Sequence, residues 1–183
     1  MAALNIFVGC SSINTSNEIY QHTAEKMGDF IARGNHNFVF CGCGFGLIGR
    51  IYSLVSQSPK SEVFVASARA YENNLESISC VKEYKLKTIN QRKDAIFSLS
   101  DVLVFLPGGI GTADELLASI EAKRAGEHNL PIVILNEGGF FDRLLAFFKQ
   151  ICREGFANHE TFKLYFVAKS FDEAAEYLST LSK

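Results

Sequence analysis

Short runs of β-branched and aromatic residues alternate with longer amphipathic stretches along the whole chain. The short runs are Asn5–Gly9, Asn37–Cys41, Glu62–Ala66, Val81–Leu86, Val102–Leu106, Ile132–Leu135 and Leu164–Val167. Each is expected to be a strand. The stretches Asn17–Arg33, Leu47–Gln57, Thr88–Ser98, Thr112–Ala125, Phe140–Arg153 and Phe171–Leu181 are expected to be helices. VLVFL and PIVIL carry no polar alternation. Strands of that kind are buried on both faces, as in a parallel sheet covered by helices. Alternating β and α elements then imply right-handed crossovers and a Rossmann-like doubly wound α/β fold with helices on both faces of the sheet. No linker or repeat divides the chain, so residues 1–183 are read as one domain. In such a fold ligands sit outside the carboxyl ends of the strands.

Composition narrows the function. With 18 Lys and Arg against 20 Asp and Glu there is no basic excess, which argues against nucleic-acid binding through phosphate neutralisation and leaves open a local basic pocket. No apolar run reaches the ~18 residues of a spanning helix, and the start lacks the pattern of a signal peptide. The five cysteines, Cys10, Cys41, Cys43, Cys80 and Cys152, form an odd set that reads as reduced thiols. The expectation is a cytoplasmic protein without a membrane partner.

Two strand exits are rich in glycine. Cys41-Gly42-Cys43-Gly44-Phe45-Gly46-Leu47-Ile48-Gly49 contains G-x-G-x-x-G between a strand and a helix. That is the setting of a dinucleotide fingerprint. The loop follows the second strand, however, and Arg69 stands near the place of the expected ribose-binding acid. An NADP-binding oxidoreductase is one alternative; glycines serving helix–strand packing are another. The second exit is Pro107-Gly108-Gly109-Ile110-Gly111-Thr112-Ala113-Asp114-Glu115. A helix starting at Thr112 would offer its free N–H groups, its dipole and a hydroxyl to a phosphate. Thr112 and Glu115 also have the spacing of a capping box, which would only satisfy the helix start.

Arg92 and Lys93 flank the stripe of Ile89, Ile96 and Leu99 on their helix. Two cations near a core-facing side point to an anion, with snorkelling as the alternative. Asp114 reads as a solvated first-turn acid, and His22, His36, His128 and His159 as surface or loop residues. Cys10, Cys41 and Cys43 sit at strand exits that could adjoin, which leaves a thiol metal site as a further alternative.

Arg92-Lys93, the strand DVLVFL and PGGIGTADE together resemble the LOG (Lonely Guy) family, whose pattern is an Arg-Lys helix and P-G-G-x-G-T-x-x-E. GCSS, GCGFGLIG and LLAFFKQICREGF extend the resemblance over almost the whole chain. The resemblance implies a Rossmann-like homodimer that hydrolyses the N-glycosidic bond of adenosine-type or cytokinin nucleoside 5′-monophosphates, without cofactor or metal. It implies catalytic roles for Glu115 and Arg92, and a phosphate loop of Gly108, Gly109, Gly111 and Thr112. Ser11, Gly44, Gly46 and Lys93 are the further nucleotide-binding candidates. Gln91 departs from the family's Glu before Arg-Lys, and Cys41-Gly42-Cys43-Gly44 departs from its Y-G-G-G. The family's older description as possible lysine decarboxylase finds no recognisable pyridoxal-phosphate lysine site. A nucleotide carrier without turnover is the non-enzymatic alternative. The apolar arc of Phe140, Phe141, Leu144, Leu145, Phe147, Phe148 and Ile151, with Leu116, Leu117 and Ile120, is expected to support a dimer interface.

Overall fold

The computed structural model describes residues 2–69 and 78–181. The strands are β1 (Asn5–Gly9), β2 (Asn37–Phe40), β3 (Val63–Ala68), β4 (Lys82–Leu86), β5 (Val102–Phe105), β6 (Ile132–Leu135) and β7 (Phe166–Ala168). The helices are α1 (Glu18–Arg33), α2 (Gly46–Val55), α3 (Ile89–Leu99), α4 (Ile110–Ala125), α5 (Asp142–Arg153) and α6 (Phe171–Leu181). All strand pairs are parallel, in the order β4-β3-β2-β1-β5-β6-β7. The fold is the α/β Rossmann-like one expected.

Side-chain alternation divides the core into two layers. Ile6, Val8, Phe38, Phe40, Val102 and Val104 face one side, where Met27 and Ile31 of α1, Ile48 and Ile51 of α2 and Leu178 of α6 cover them. Phe7, Val39, Leu103, Phe105, Ile132 and Ile134 face the other, beneath Ile96 of α3, Leu116 and Ile120 of α4 and Phe148 of α5. β5 (VLVF) and β6 (IVIL) are apolar at every position because both faces are covered.

Two boundaries and one burial differ from expectation for physical reasons. The start of α4 lies at Ile110, two residues before Thr112, with Gly109 as its N-cap. That registers Thr112 as the third helical residue and removes the capping-box reading: no side chain caps this helix. The start of α5 lies at Asp142 instead of Phe140. Gly138 and Gly139 take positive φ ahead of it, and the Asn136 side chain accepts the Phe141 N–H at 2.7 Å. His36 is not a surface residue. It is 4% exposed, its ring lies tilted against Phe30, and its Nδ1 accepts the Leu4 N–H at 3.2 Å.

The chain order runs outward from β1 in both directions, so the switch point of the sheet lies between β1 and β5. The exits of these two strands are tied together. Leu106 N–H donates to Gly9 O at 3.0 Å, and Ser11 N–H donates to Pro107 O at 3.0 Å. A crevice at this place is where doubly wound folds hold their ligands.

Candidate functional site

A cavity of about 260 Å³ opens at the switch point. The β1 exit supplies Cys10 and Ser11, the β2 exit Cys41 and Cys43, α3 supplies Arg92, and the start of α4 supplies Gly109, Gly111, Thr112 and Glu115.

Arg92 reaches the cavity because α3 is registered at its first turn. Thr88 Oγ1 accepts the Gln91 N–H at 3.2 Å, and Gln91 Oε1 accepts the Lys87 N–H at 3.1 Å. Gln91 therefore works at the helix start, where Gln serves as well as Glu. One residue on, Arg92 turns inward and is 5% exposed. Its Nη2 donates to Glu115 Oε1 at 2.7 Å. Glu115 is equally buried. Burial pushes its carboxyl up from 4.5 to about 7; Arg92 opposes that rise, Asp114 adds to it, and Lys93 opposes it. Burying one partner of such a pair alone would cost several kcal/mol, so each charge requires the other.

The start of α4 is open. Gly109 as N-cap brings no side chain, and the first N–H returned to the backbone is that of Ala113, to Gly109 O at 3.1 Å. A Cβ built on Gly109 or Gly111 would meet nothing within 4 Å. The N–H groups ahead of the first helical bond, and the positive end of the dipole, face this space. Gly108 differs: a Cβ there would collide with the Thr112 side chain, so this glycine makes room for Thr112.

The glycine loop after β2 is built differently. Gly46 has φ +69, and a Cβ on it would lie 2.5 Å from the Ser12 carbonyl carbon. Ile48 N–H, at the start of α2, donates to Ser11 O at 3.1 Å. The loop thus packs against the β1 exit and uses the Ile48 N–H to do so. Gly44, Gly46 and Gly49 line a neighbouring depression with Arg50, outside the Arg92–Glu115 cavity. Arg69, just beyond β3, is also outside the cavity lining.

Of the sequence candidates, the fold brings Arg92, Glu115, Gly109, Gly111, Thr112 and Ser11 to one cavity. The Ser11 hydroxyl is turned back on its own loop, donating to Ile13 O at 2.9 Å and accepting the Ile13 N–H at 3.1 Å. Gly44, Gly46, Gly108 and Lys93 stand outside the lining. Asp114 is solvated, as expected, but it lies past the first turn of α4 and pairs with Lys93 at 3.1 Å.

The three thiols meet at the cavity, as their places at adjoining strand exits allowed. Burial raises Cys10 well above its usual range, and burial followed by Glu115 pushes Cys41 up to about 12. Protonated thiols are poor nucleophiles and poor metal ligands. Among the described residues no cluster of three His, Cys, Asp or Glu side chains is arranged to hold a metal. No helix among the described residues is long and apolar enough to cross a membrane.

The chain is similar in fold to the molybdenum cofactor carrier protein of Chlamydomonas reinhardtii, with TM-score 0.70, 19% identity and 98% of each chain covered. The molybdenum cofactor binding protein of Rippkaea orientalis gives TM-score 0.68 at 14% identity, covering 100% of this chain and 99% of that one. Both likenesses concern the fold alone. In sequence, the chain is 29% identical over 176 residues to the cytokinin riboside 5′-monophosphate phosphoribohydrolase of Rhodococcoides fascians, covering 93% of this chain and 86% of that protein. It is 31% identical over 154 residues to the probable cytokinin riboside 5′-monophosphate phosphoribohydrolase LOG6 of Arabidopsis thaliana, covering 83% and 76%. The family model described as Possible lysine decarboxylase matches residues 55–178, more than half of the chain, and together with these relatives it shows that the chain belongs to the LOG family.

Proposed function

We propose that the chain is a hydrolase that cleaves the N-glycosidic bond of a purine nucleoside 5′-monophosphate, of adenosine type and including cytokinin nucleotides, to free base and ribose 5-phosphate. The observation that carries this reading is the Arg92–Glu115 pair, 2.7 Å apart and buried in the same cavity as the open start of α4. The phosphate would take the N–H groups around Gly109, Gly111 and Thr112. Breaking a ribosyl–base bond builds positive charge on the sugar. A carboxylate near that sugar stabilises the charge and activates water. Glu115 supplies it. Arg92 holds Glu115 Oε1 and leaves the second oxygen free of that bond. A cavity of about 260 Å³ is small beside ligand pockets of ~300 Å³ and more. It suits the sugar phosphate, with the base toward Ile13 and Ile110 at the rim. The names of the curated relatives support the same reading.

The test is incubation with a panel of nucleoside 5′-monophosphates, followed by chromatography for free base and ribose 5-phosphate. Release of base that requires the 5′-phosphate is the expected result. Tight binding without release from any member of the panel would overturn the hydrolase and leave a nucleotide carrier.

A further inference from the structure

A second ion pair runs beside the buried one. Lys93 Nζ lies 3.1 Å from both carboxylate oxygens of Asp114. Arg92 and Lys93 are consecutive on α3, and Asp114 and Glu115 are consecutive on α4. The two pairs are therefore adjacent rungs of one ladder between these helices. The rungs differ in their access to water. The side chains of Arg92 and Glu115 are each 6% exposed, whereas Lys93 is 14% and Asp114 46% exposed. The outer rung does not line the cavity. A partly solvated pair of this kind contributes little to stability. Its effect on a buried neighbour is larger, because charges act strongly on a group that water does not screen.

We propose that Lys93 and Asp114 are positioning residues for Glu115: their mutual pairing balances two charges beside the buried rung and so sets the charge state in which Glu115 meets the ligand. The inference rests on the reading of Glu115 as the reacting carboxyl. Among the described residues, the groups facing Glu115 are few. From α3 come Arg92 and Lys93, which favour its carboxylate, and from α4 comes Asp114, which disfavours it. From the strand exits come Cys10 and Cys41, with Cys43 beside them, and burial keeps Cys10 and Cys41 protonated. The balance of fixed charge around Glu115 is thus decided by Arg92, Lys93 and Asp114. Removing one member of the outer rung unmasks the other. In Asp114→Asn the Lys93 charge is uncompensated, and the Glu115 carboxylate is favoured. In Lys93→Met the stem is kept and Asp114 is uncompensated, so the protonated carboxyl is favoured. A rung that only braced the helices would make no such opposite displacements.

The experiment is ¹³C NMR titration of protein labelled at the glutamate side-chain carboxyl, with the Glu115 signal assigned by its loss in Glu115→Gln. The wild-type midpoint is expected at about 7. Asp114→Asn should lower it and Lys93→Met should raise it. The two single variants should separate by about half a unit or more, with the double variant between them. If Lys93→Met fails to fold, Lys93→Gln serves in its place. Single variants that titrate with the wild type, or that move in the same direction, would overturn the proposal. This readout needs no turnover, so it is distinct from failure of the hydrolase reading. Where turnover is present, the acid limb of kcat/KM should follow the NMR midpoint in each variant.

Discussion

Glu115 sits between two demands. Burial favours the neutral acid and Arg92 favours the carboxylate, with the outcome near pH 7. If the carboxylate is the working form, kcat/KM should rise with pH and level off above about 7. Glu115→Gln should reduce base release by about a hundredfold or more, and it should also lower the melting temperature, because it leaves the buried Arg92 without its carboxylate. Unchanged kinetics in this variant would remove Glu115 from the chemistry. The raised value also bears on stability. Between 4.5 and about 7 the folded chain retains a proton at Glu115 that the unfolded chain releases. This contribution is full below 4.5 and is lost as pH rises through about 7. His36 acts in the opposite sense, because burial lowers its value from 6.5. Its neutral Nδ1 accepts the Leu4 N–H, so its contribution is full above 6.5 and is lost as pH falls below that. His36→Gln should therefore lose less melting temperature than the wild type between pH 7 and pH 5, measured by calorimetry in low salt. Neither environment was legible locally. His36 lies two residues after Gly34, between the end of α1 and the start of β2, a surface context in sequence, and in the fold Phe30 and Leu4 pack against it.

At the scale of elements, the two glycine loops share a composition and differ in what the glycines face. Gly46 meets the backbone of Ser12 and Ile13 and has φ +69. Gly46→Ala should destabilise the fold by about 1–3 kcal/mol in denaturant titration. Gly111 is already helical and has open space beyond it. Gly111→Ala should leave stability unchanged or raise it by up to about 1 kcal/mol. Its binding of AMP, measured by calorimetry, should weaken, because the added methyl occupies space assigned to the ligand. Equal affinity in Gly111→Ala would remove the phosphate from this loop. The G-x-G-x-x-G pattern thus reads as packing, the alternative its sequence context left open. The start of α4 escaped the sequence reading because Gly109 caps it without a side chain, so no polar residue marks the boundary.

The whole molecule leaves part of its apolar surface uncovered. Phe141, Phe148, Leu116 and Ile120 are buried against the sheet, and Leu144, Leu145 and Ile151 pack beside them. The arc is thus used within the chain in part: Phe141 and Phe148 are buried, whereas Phe140 and Phe147 are exposed. Leu117 and Phe147 remain outward on the same side of the sheet, 45% and 54% exposed. A symmetric pair of chains would cover them. A homodimer is expected, with light scattering at micromolar concentration giving twice the chain mass and Phe147→Asp returning it toward one. A single-chain mass for the wild type throughout the concentration range would defeat this expectation.

The alternation of apolar runs with amphipathic stretches was sufficient by itself to determine the parallel sheet and its two helical layers, and it pointed to the strand exits as the place of the candidate site. Burial on both faces writes itself into every position of a strand such as VLVF, and a helix face repeats often enough to be counted. PGGIGTADE and Arg92-Lys93 were likewise visible as candidates. The tertiary structure decided which candidates share a cavity. It separated Arg92 from its neighbour Lys93, one turned inward to Glu115 and the other outward to Asp114. It also brought Cys10, Cys41 and Cys43 to the same wall. These outcomes depend on the register of α3 against α4 and of β1 against β2. Such registers arise from contacts between residues far apart in the chain, and a local pattern carries no record of them.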